Sequence, residues 1–154
     1  MLPPFAAYEF PYPKSCHVYR NGSQTIPSGA WTVIQLNVVS WDTYGLYTGG
    51  SSEYITIPEG GLYFIVARIQ SDTTITSPLG IAVSCNGIRD NQLIVQQNTY
   101  TVTSVMIQYM QMLNMGDKLD LSIVWTGTGT ITVGTTWPYC FMQVLKLPYV
   151  TKGY

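Results

Sequence analysis

Charged side chains are scarce in this sequence of 154 residues, where only 10% are Asp, Glu, Lys or Arg. An ordinary globular protein has about 25%. The 7 basic and 8 acidic residues are scattered singly and give a net charge of −1. No basic cluster is present to attract a nucleic-acid backbone or an anionic lipid surface. We therefore expect neither nucleic acid nor a membrane as a partner.

Histidine and cysteine are also rare. The single histidine, His17, stands beside Cys16, and neighbouring residues of an extended chain point in opposite directions, so this pair is not expected to act as a catalytic unit. Cys16, Cys85 and Cys140 are far apart and contain no C-x-x-C pair, which indicates buried, reduced thiols in place of a zinc site or a disulfide framework. We expect no catalytic residue, no metal site and no cofactor.

Paired carboxylates are the one catalytic arrangement that the composition leaves open, because two of them suffice for glycoside hydrolysis. Glu53 and Glu59 are candidates, but no spacing singles out a pair, and Asp117 lies in a predicted turn. Asp42 supplies one oxygen toward a calcium site, which needs about six to eight. Solvated turn carboxylates are the simpler interpretation, and the sequence predicts a protein that is not an enzyme.

No uninterrupted hydrophobic run is long enough for a transmembrane helix. Residues 91–116 and 121–145 are uncharged, but polar side chains interrupt both of them. The first residues lack the basic region and the continuous apolar run of a secretory signal. Maturation in a reducing cytoplasm is expected from the three reduced thiols.

A repeated strand-and-turn pattern fills the sequence instead. Within residues 55–70 a short alternating strand breaks at Pro58, Gly60 and Gly61 permit a sharp corner, and a longer apolar strand follows. Asn86-Gly87 is a strong signal for a tight hairpin. Further strands are predicted near residues 31–38, 80–85, 93–97, 118–125 and 140–147. About eight to ten strands and no helix predict an all-β jelly roll or a related sandwich.

The predicted strand at residues 100–113 is apolar on both faces. A strand of this kind lies between two layers or at a contact with another subunit. The low charge suits a subunit contact because uncharged side chains are easily desolvated, although a surface merely rich in Thr and Tyr has the same composition. One parity carries Val105, Ile107, Tyr109 and Leu113, and the other carries Met106, Met110 and Met112.

Residues 1–22 are predicted to form a separate N-terminal arm, because closely spaced prolines prevent regular secondary structure. The arm either docks on a neighbouring subunit or a larger particle, or folds across its own domain. The domain is predicted at residues 23–148 and a tail at 149–154. The aromatic side chains that alternate with the prolines are candidates for attachment: Phe5, Tyr8, Phe10 and Tyr12.

Several motifs stand in a suggestive order: Trp41-Asp-Thr-Tyr-Gly45, the corner Pro58-Glu-Gly-Gly-Leu-Tyr63 and the turn Met115-Gly-Asp117. This succession, over about residues 16–147, resembles C1q/TNF-like jelly-roll domains, in particular the version in small bacteriophage structural proteins. The resemblance implies a tight homotrimer with apolar side chains along its threefold axis. The candidate interface residues are Tyr63, Ile65, Met106, Tyr109, Met110, Met112 and Phe141.

Two functions are predicted. The first is a non-enzymatic virion structural protein of a bacteriophage, either a capsid decoration, a head-fibre or a tail-associated trimer. It assembles in the host cytoplasm and binds other virion proteins. The second is a carbohydrate- or receptor-binding module in which Trp41, Tyr44 and Tyr47 stack on a surface glycan. Ordinary packing under a loop is the alternative interpretation of these three aromatics.

Overall fold

The computed structural model describes residues 13–47, 54–75, 77–89, 95–97, 102–134 and 140–148. These residues form twelve β-strands, and no helix occurs among them. The strands are β1 (Ser15–Tyr19), β2 (Gln24–Pro27), β3 (Thr32–Val33), β4 (Val38–Asp42), β5 (Ile55–Thr56), β6 (Gly61–Ile75), β7 (Leu79–Cys85), β8 (Val95–Gln97), β9 (Val102–Leu113), β10 (Lys118–Trp125), β11 (Thr130–Val133) and β12 (Phe141–Lys146). The all-β prediction is confirmed.

The strands are arranged in two antiparallel sheets. In the seven-stranded sheet β9, β6, β12, β1 and β4 lie side by side, and β11 with β2 extends it at the far end of β6. The five-stranded sheet has the order β3-β10-β7-β8, with β5 also paired to β10. Buried side chains from both sheets form a single hydrophobic cluster. The chain is therefore a sandwich with one core.

The predicted hairpin at Asn86-Gly87 is confirmed. Both residues have positive φ, +54° and +77°, which a two-residue turn between antiparallel strands requires. Cys85 and Ile88 exchange both backbone hydrogen bonds, at 3.1 and 3.0 Å, so the turn closes without lengthening. β8 then returns against β7, as the sequence predicts.

The predicted strand at residues 31–38 is divided between the two sheets. β3 pairs with β10 in the five-stranded sheet, whereas β4 pairs with β1 in the seven-stranded sheet. The chain between them passes across the core, and Ile34 and Leu36 are buried there. Their alternation reflects burial within this crossing segment and not a regular strand.

The boundary of the N-terminal arm at residue 22 is wrong. Residues 15–19 lack proline and form β1, which lies between β12 and β4. The described part of the arm is confined to Pro13 and Lys14, and the Pro13 carbonyl already accepts a hydrogen bond from the Thr43 hydroxyl at 2.8 Å. The attachment candidates Phe5, Tyr8, Phe10 and Tyr12 and the tail at 149–154 lie outside the described residues.

The corner between β5 and β6 packs on the turn between β9 and β10. The Ile57 amide donates to the Asp117 carbonyl, and the Gly116 amide donates to the Ile57 carbonyl, both at 2.8 Å. The Tyr63 hydroxyl donates to the Glu59 carbonyl at 2.8 Å. The two motifs that resemble jelly-roll domains most specifically are thus bonded to each other.

Glu59, expected to be a solvated carboxylate, binds three side chains. Its carboxylate accepts hydrogen bonds from Lys14 at 2.7 Å and from the Tyr44 hydroxyl at 2.8 Å, and it forms an ion pair with Lys146. These partners, with Lys14 first, lower the pKa of Glu59 to about 2. We name this group the Glu59 cluster. It joins the start of β1, the end of β12, the loop after β4 and the corner.

Gly61 provides space for the Glu59 cluster. A Cβ atom at Gly61 would lie 2.6 Å from Cε of Lys146, whereas one at Gly60 meets nothing nearer than 3.5 Å. The φ of Gly61 is +159°, close to fully extended, so the constraint at this position is steric. A side chain at Gly61 must therefore displace Lys146.

We expect Gly61→Ala to lower the melting temperature by a few degrees and Gly60→Ala, the matched control, to leave it nearly unchanged. In a Glu59→Ala background the effect of Gly61→Ala should shrink, because both substitutions break the same ion pair. Thermal melts of the four variants measure this. Equal melting temperatures for the two glycine variants would contradict the steric argument.

The stabilisation from Glu59 should depend on pH. The pKa is lowered in the folded state, so the contribution is complete above the ordinary value of 4.5 and is lost as pH falls toward about 2. We expect Glu59→Gln to be less stable than the wild type at pH 7 and the difference to vanish near pH 2. Because the carboxylate is partly exposed, high salt should reduce this difference in stability. Denaturant titrations across this range measure the difference, and a pH-independent gap would refute the assignment.

Candidate assembly surface

The side chains of the seven-stranded sheet that point away from the core form one continuous face. Residues paired across neighbouring strands point to the same side of a sheet, so the register defines this face. We name it the outer face. Its rows are Tyr19–Phe141–Arg68–Met106, Trp41–His17–Gln143–Val66–Gln108, Ser15–Leu145–Phe64–Met110 and Leu62–Met112.

The opposite parity of the same strands fills the core. Tyr63 and Ile65 have no exposed surface, so these two candidate interface residues face the core and not a neighbouring subunit. Tyr109 also points inward, where burial raises the pKa of its hydroxyl. Val105, Ile107 and Leu113 are buried on the same side of β9, as the two-sided pattern predicts. The prediction that β9 is apolar on both faces is confirmed. The three candidate interface residues Tyr63, Ile65 and Tyr109, however, lie on the inner face of the sheet.

The methionines of β9 lie on the outer face at one edge of the sheet. Met106, Met110 and Met112 are 53%, 63% and 61% exposed. Leu62 and Phe64 of β6 lie beside them and are half-buried. We name these five residues the methionine edge. Exposed apolar side chains gathered on one strand pair are unusual on a free monomer and indicate an interaction surface.

Charge is almost absent from the outer face. Arg68 is the only Lys, Arg, Asp or Glu in its four rows. The Arg68 guanidinium donates hydrogen bonds to Gln70 at 2.8 Å and to Ser104 at 3.4 Å. Desolvating this face on contact with another molecule would therefore cost little, because charged groups are the expensive ones to bury.

Aromatic rings occupy the other side of the outer face. The His17 ring stacks on Trp41 at a centroid distance of 4.6 Å and lies 5.1 Å from Phe141 and 6.3 Å from Tyr19. We name these four residues the aromatic patch. Phe141 was predicted as an interface residue and Trp41 as part of a ligand loop. His17 was considered only for catalysis, and its place in β1 could not be foreseen from a segment assigned to the arm.

His17 is nine-tenths buried within this patch. Its Nδ1 atom is buried and has no hydrogen-bond partner among the described residues. Burial lowers the pKa of the imidazole, and its own backbone opposes this effect only in part. The ring is therefore neutral at neutral pH and carries one unsatisfied polar atom within an apolar surface.

The loop aromatics do not form one stacking surface. Tyr47 is buried, and its hydroxyl donates to the Leu36 carbonyl, so the ligand-loop prediction is wrong for this residue. The Tyr44 hydroxyl belongs to the Glu59 cluster, and Lys14 lies 4.0 Å above its ring. Trp41 is 43% exposed but lies in β4 and stacks on His17. Packing within the protein therefore accounts for the presence of Tyr47 and Tyr44 in this loop.

Asp42 arranges this loop through backbone contacts. Its carboxylate accepts hydrogen bonds from the amides of Tyr44, Leu46 and Tyr47 at 3.1, 3.0 and 2.8 Å. Short loops are commonly stabilised by an Asp that bonds the amides that follow it. The Asp42 carboxylate therefore stabilises the loop itself.

The other candidate reactive groups are engaged or buried. Asp117 accepts hydrogen bonds from Asn86 at 2.9 Å and from the Asn114 amide at 2.7 Å, as expected for a turn carboxylate. Burial raises the pKa of the Cys16 thiol to about 12 and that of Cys140 to about 11. Within the described ranges no three His, Cys, Asp or Glu side chains could hold a metal ion. Nor does any helix in that part of the chain have the length and hydrophobicity to span a membrane.

Comparison with known proteins identifies the fold. The chain is similar to the structure of Eiger TNF from S. frugiperda, with a TM-score of 0.66, 16% identity, and coverage of 92% of this chain and 97% of the other. It is also similar to murine APRIL, with a TM-score of 0.65, 16% identity, and coverage of 86% and 98%. No protein-family model and no curated protein matches the sequence. The fold is a TNF-like jelly roll, as the sequence resemblance implies.

Proposed function

We propose that this chain is a non-enzymatic assembly module that forms a homotrimer through the outer face. The observation that carries the proposal is the exposure of Met106, Met110 and Met112, each by more than half, on a face with a single charged residue. The jelly-roll resemblance supports threefold assembly. The inward-facing parity fills the core, and among the described residues the methionines of the outer face stay exposed, which supports a cover by another copy.

The energetics indicate that the methionines alone are not sufficient. Fully burying a methionine contributes roughly 1.5–3 kcal/mol, so three side chains that are about 60% exposed contribute roughly 3–5 kcal/mol to a contact. Association costs an estimated 4–15 kcal/mol in lost translational and rotational freedom. A stable contact therefore needs further apolar surface, and the aromatic patch on the same face supplies it.

Threefold closure also requires two different patches on each copy. A cyclic ring larger than a dimer is built from heterologous contacts, in which one surface of a copy meets another surface of the next. The outer face offers two chemically distinct surfaces, the methionine edge and the aromatic patch. This difference favours a closed ring over a twofold dimer.

The finer form of the proposal is a virion structural protein of a bacteriophage. In this role the trimer is a capsid decoration, a head-fibre or a tail-associated component that assembles in the host cytoplasm and binds other virion proteins. The support is the sequence resemblance to small phage structural proteins and the low charge, 10%, which suits a permanently assembled protein. The aromatic arm, with Phe5, Tyr8, Phe10 and Tyr12, is the proposed attachment device.

We expect Met110→Lys to weaken self-association by at least about tenfold, or about 1.4 kcal/mol. A lysine at this position places an unpaired charge in the covered face, whereas Met115→Lys, the matched control, changes a methionine that is 75% exposed in a turn outside that face. Sedimentation equilibrium at micromolar concentration measures both variants. Equal association for the two variants, or a monomeric wild type, would contradict the proposal.

We expect deletion of residues 1–12 to leave the fold and the trimer intact and to abolish attachment to particles that lack the protein. The deletion keeps Lys14 in the Glu59 cluster and all of β1. Circular dichroism, sedimentation and co-sedimentation with particles measure the three properties. A full-length variant with the four arm aromatics changed to Ala separates the loss of these side chains from the loss of the whole segment. Undiminished attachment would place the binding surface on the sandwich.

A further inference from the structure

The methionine edge and the aromatic patch cannot cover each other within one copy. The methionines belong to β9 and Trp41 to β4, at opposite edges of a five-strand run of one sheet. Four strand spacings separate them, about 19 Å. Both surfaces are held by antiparallel ladders, with one irregularity between His17 and Val18 where β1 pairs with β4, so neither can fold onto the other. Both surfaces keep exposed side chains among the described residues, which favours a partner from another molecule.

The two surfaces are complementary in chemistry. The flexible, polarizable methionine side chain adapts to uneven surfaces, and its sulfur contacts aromatic rings with roughly 0.3–1.5 kcal/mol of stabilisation. The aromatic patch offers such rings at the surface, since Trp41 is 43% exposed and Val39 beside it is 40% exposed. A second copy of this chain supplies the required methionines without any further partner.

His17 makes such a contact sensitive to protonation. Covering the patch removes the remaining water from the imidazole, and an imidazolium there needs a nearby anion. Trp41 faces it from β4, Phe141 and Gln143 from β12, and none of the three ionises. On its own strand Tyr19 is the titratable neighbour. None of the four rows of the outer face contains a carboxylate, and the exposed Asp72 lies beyond these rows, at the far end of β6.

The charged residues near this patch do not supply an anion. Asp42 has the opposite parity and holds three backbone amides. Lys146 also has the opposite parity and is paired with Glu59. Arg68 shares the outer face on β6 and carries the same sign of charge as a protonated histidine. These surroundings favour the neutral ring.

We infer that the methionine edge of one copy packs on the aromatic patch of the next, and that this contact forms while His17 is neutral. The inference rests on the proposed self-assembly. A histidine whose pKa is lower in the assembled state gives full association above its free pKa and weaker association as pH falls through the two values. His17 is the only histidine in the chain, and no other side chain type has an ordinary pKa between pH 5 and 8.

Sedimentation of the full chain at pH 7.5 and pH 5.0 tests the proton dependence. We expect association to be at least about threefold weaker per contact at pH 5.0 and His17→Phe, which keeps an aromatic ring, to associate equally well at both. Equal wild-type association at both pH values, or unchanged pH dependence in His17→Phe, would overturn the inference. Absence of any oligomer would overturn the proposed function as well.

The single histidine also permits a direct measurement. The NMR titration of its imidazole should give a lower pKa in the assembled wild type than in Met110→Lys, in which the face is uncovered. Circular dichroism at pH 5.0 establishes that both proteins stay folded. The same pKa in an assembled and a dissociated protein would overturn the inference but leave the assembly proposal intact.

Cross-linking tests which surfaces meet. Trp41→Cys combined with Met110→Cys should form disulfide-linked chains under mild oxidation, because a disulfide requires Cα atoms within about 7 Å and the two positions are too far apart within one copy. The single variants should not form them at this level. Linked chains from Met110→Cys alone would show that two methionine edges face each other and would overturn the proposed pairing.

Discussion

The seven-stranded sheet carries apolar side chains on both faces, and only one face has a core against which to pack. Side chains alternate strictly along a strand, so each strand of β9, β6 and β12 contributes equally to the two sides. Tyr63, Ile65 and Val144 point into this core and are fully buried. The residues between them face away from that core. The assembly proposal follows from this imbalance.

The Glu59 cluster connects the corner of the fold to that surface. Lys14 immediately precedes β1, which carries His17, and Lys146 ends β12, which carries Phe141. One carboxylate thus holds the ends of the two strands that form the middle of the aromatic patch. Its ion pairs are partly exposed and individually weak, but they join four segments that are distant in the sequence. The main effect of the cluster is therefore to fix the positions of these strands relative to each other.

Local patterns predicted local structure well and long-range partners poorly. The Asn86-Gly87 hairpin and the two faces of β9 follow from residues within a few positions of each other. The outward parity of β6 was missed although Arg68 and Gln70 share it with Phe64, and two polar residues of one parity mark the exposed side. The two lysines that bind Glu59 lie 45 and 87 positions away and Tyr44 lies 15 positions away, beyond any periodic signal. β1 was not predicted because the prolines that precede it assigned its residues to the arm.

Glu59 and His17 respond to acid in different ranges and on different levels of structure. The stabilisation from Glu59 is complete above pH 4.5 and is lost toward about 2, so it concerns the folded domain in strong acid. On our inference, His17 acts closer to neutrality, because its protonation is opposed by the cover that a neighbouring copy provides. Mild acid would then separate copies whose domains remain folded. Because the sequence has so few charges, few other groups titrate between these two pH ranges. A single histidine at the contact is enough to make the association depend on pH.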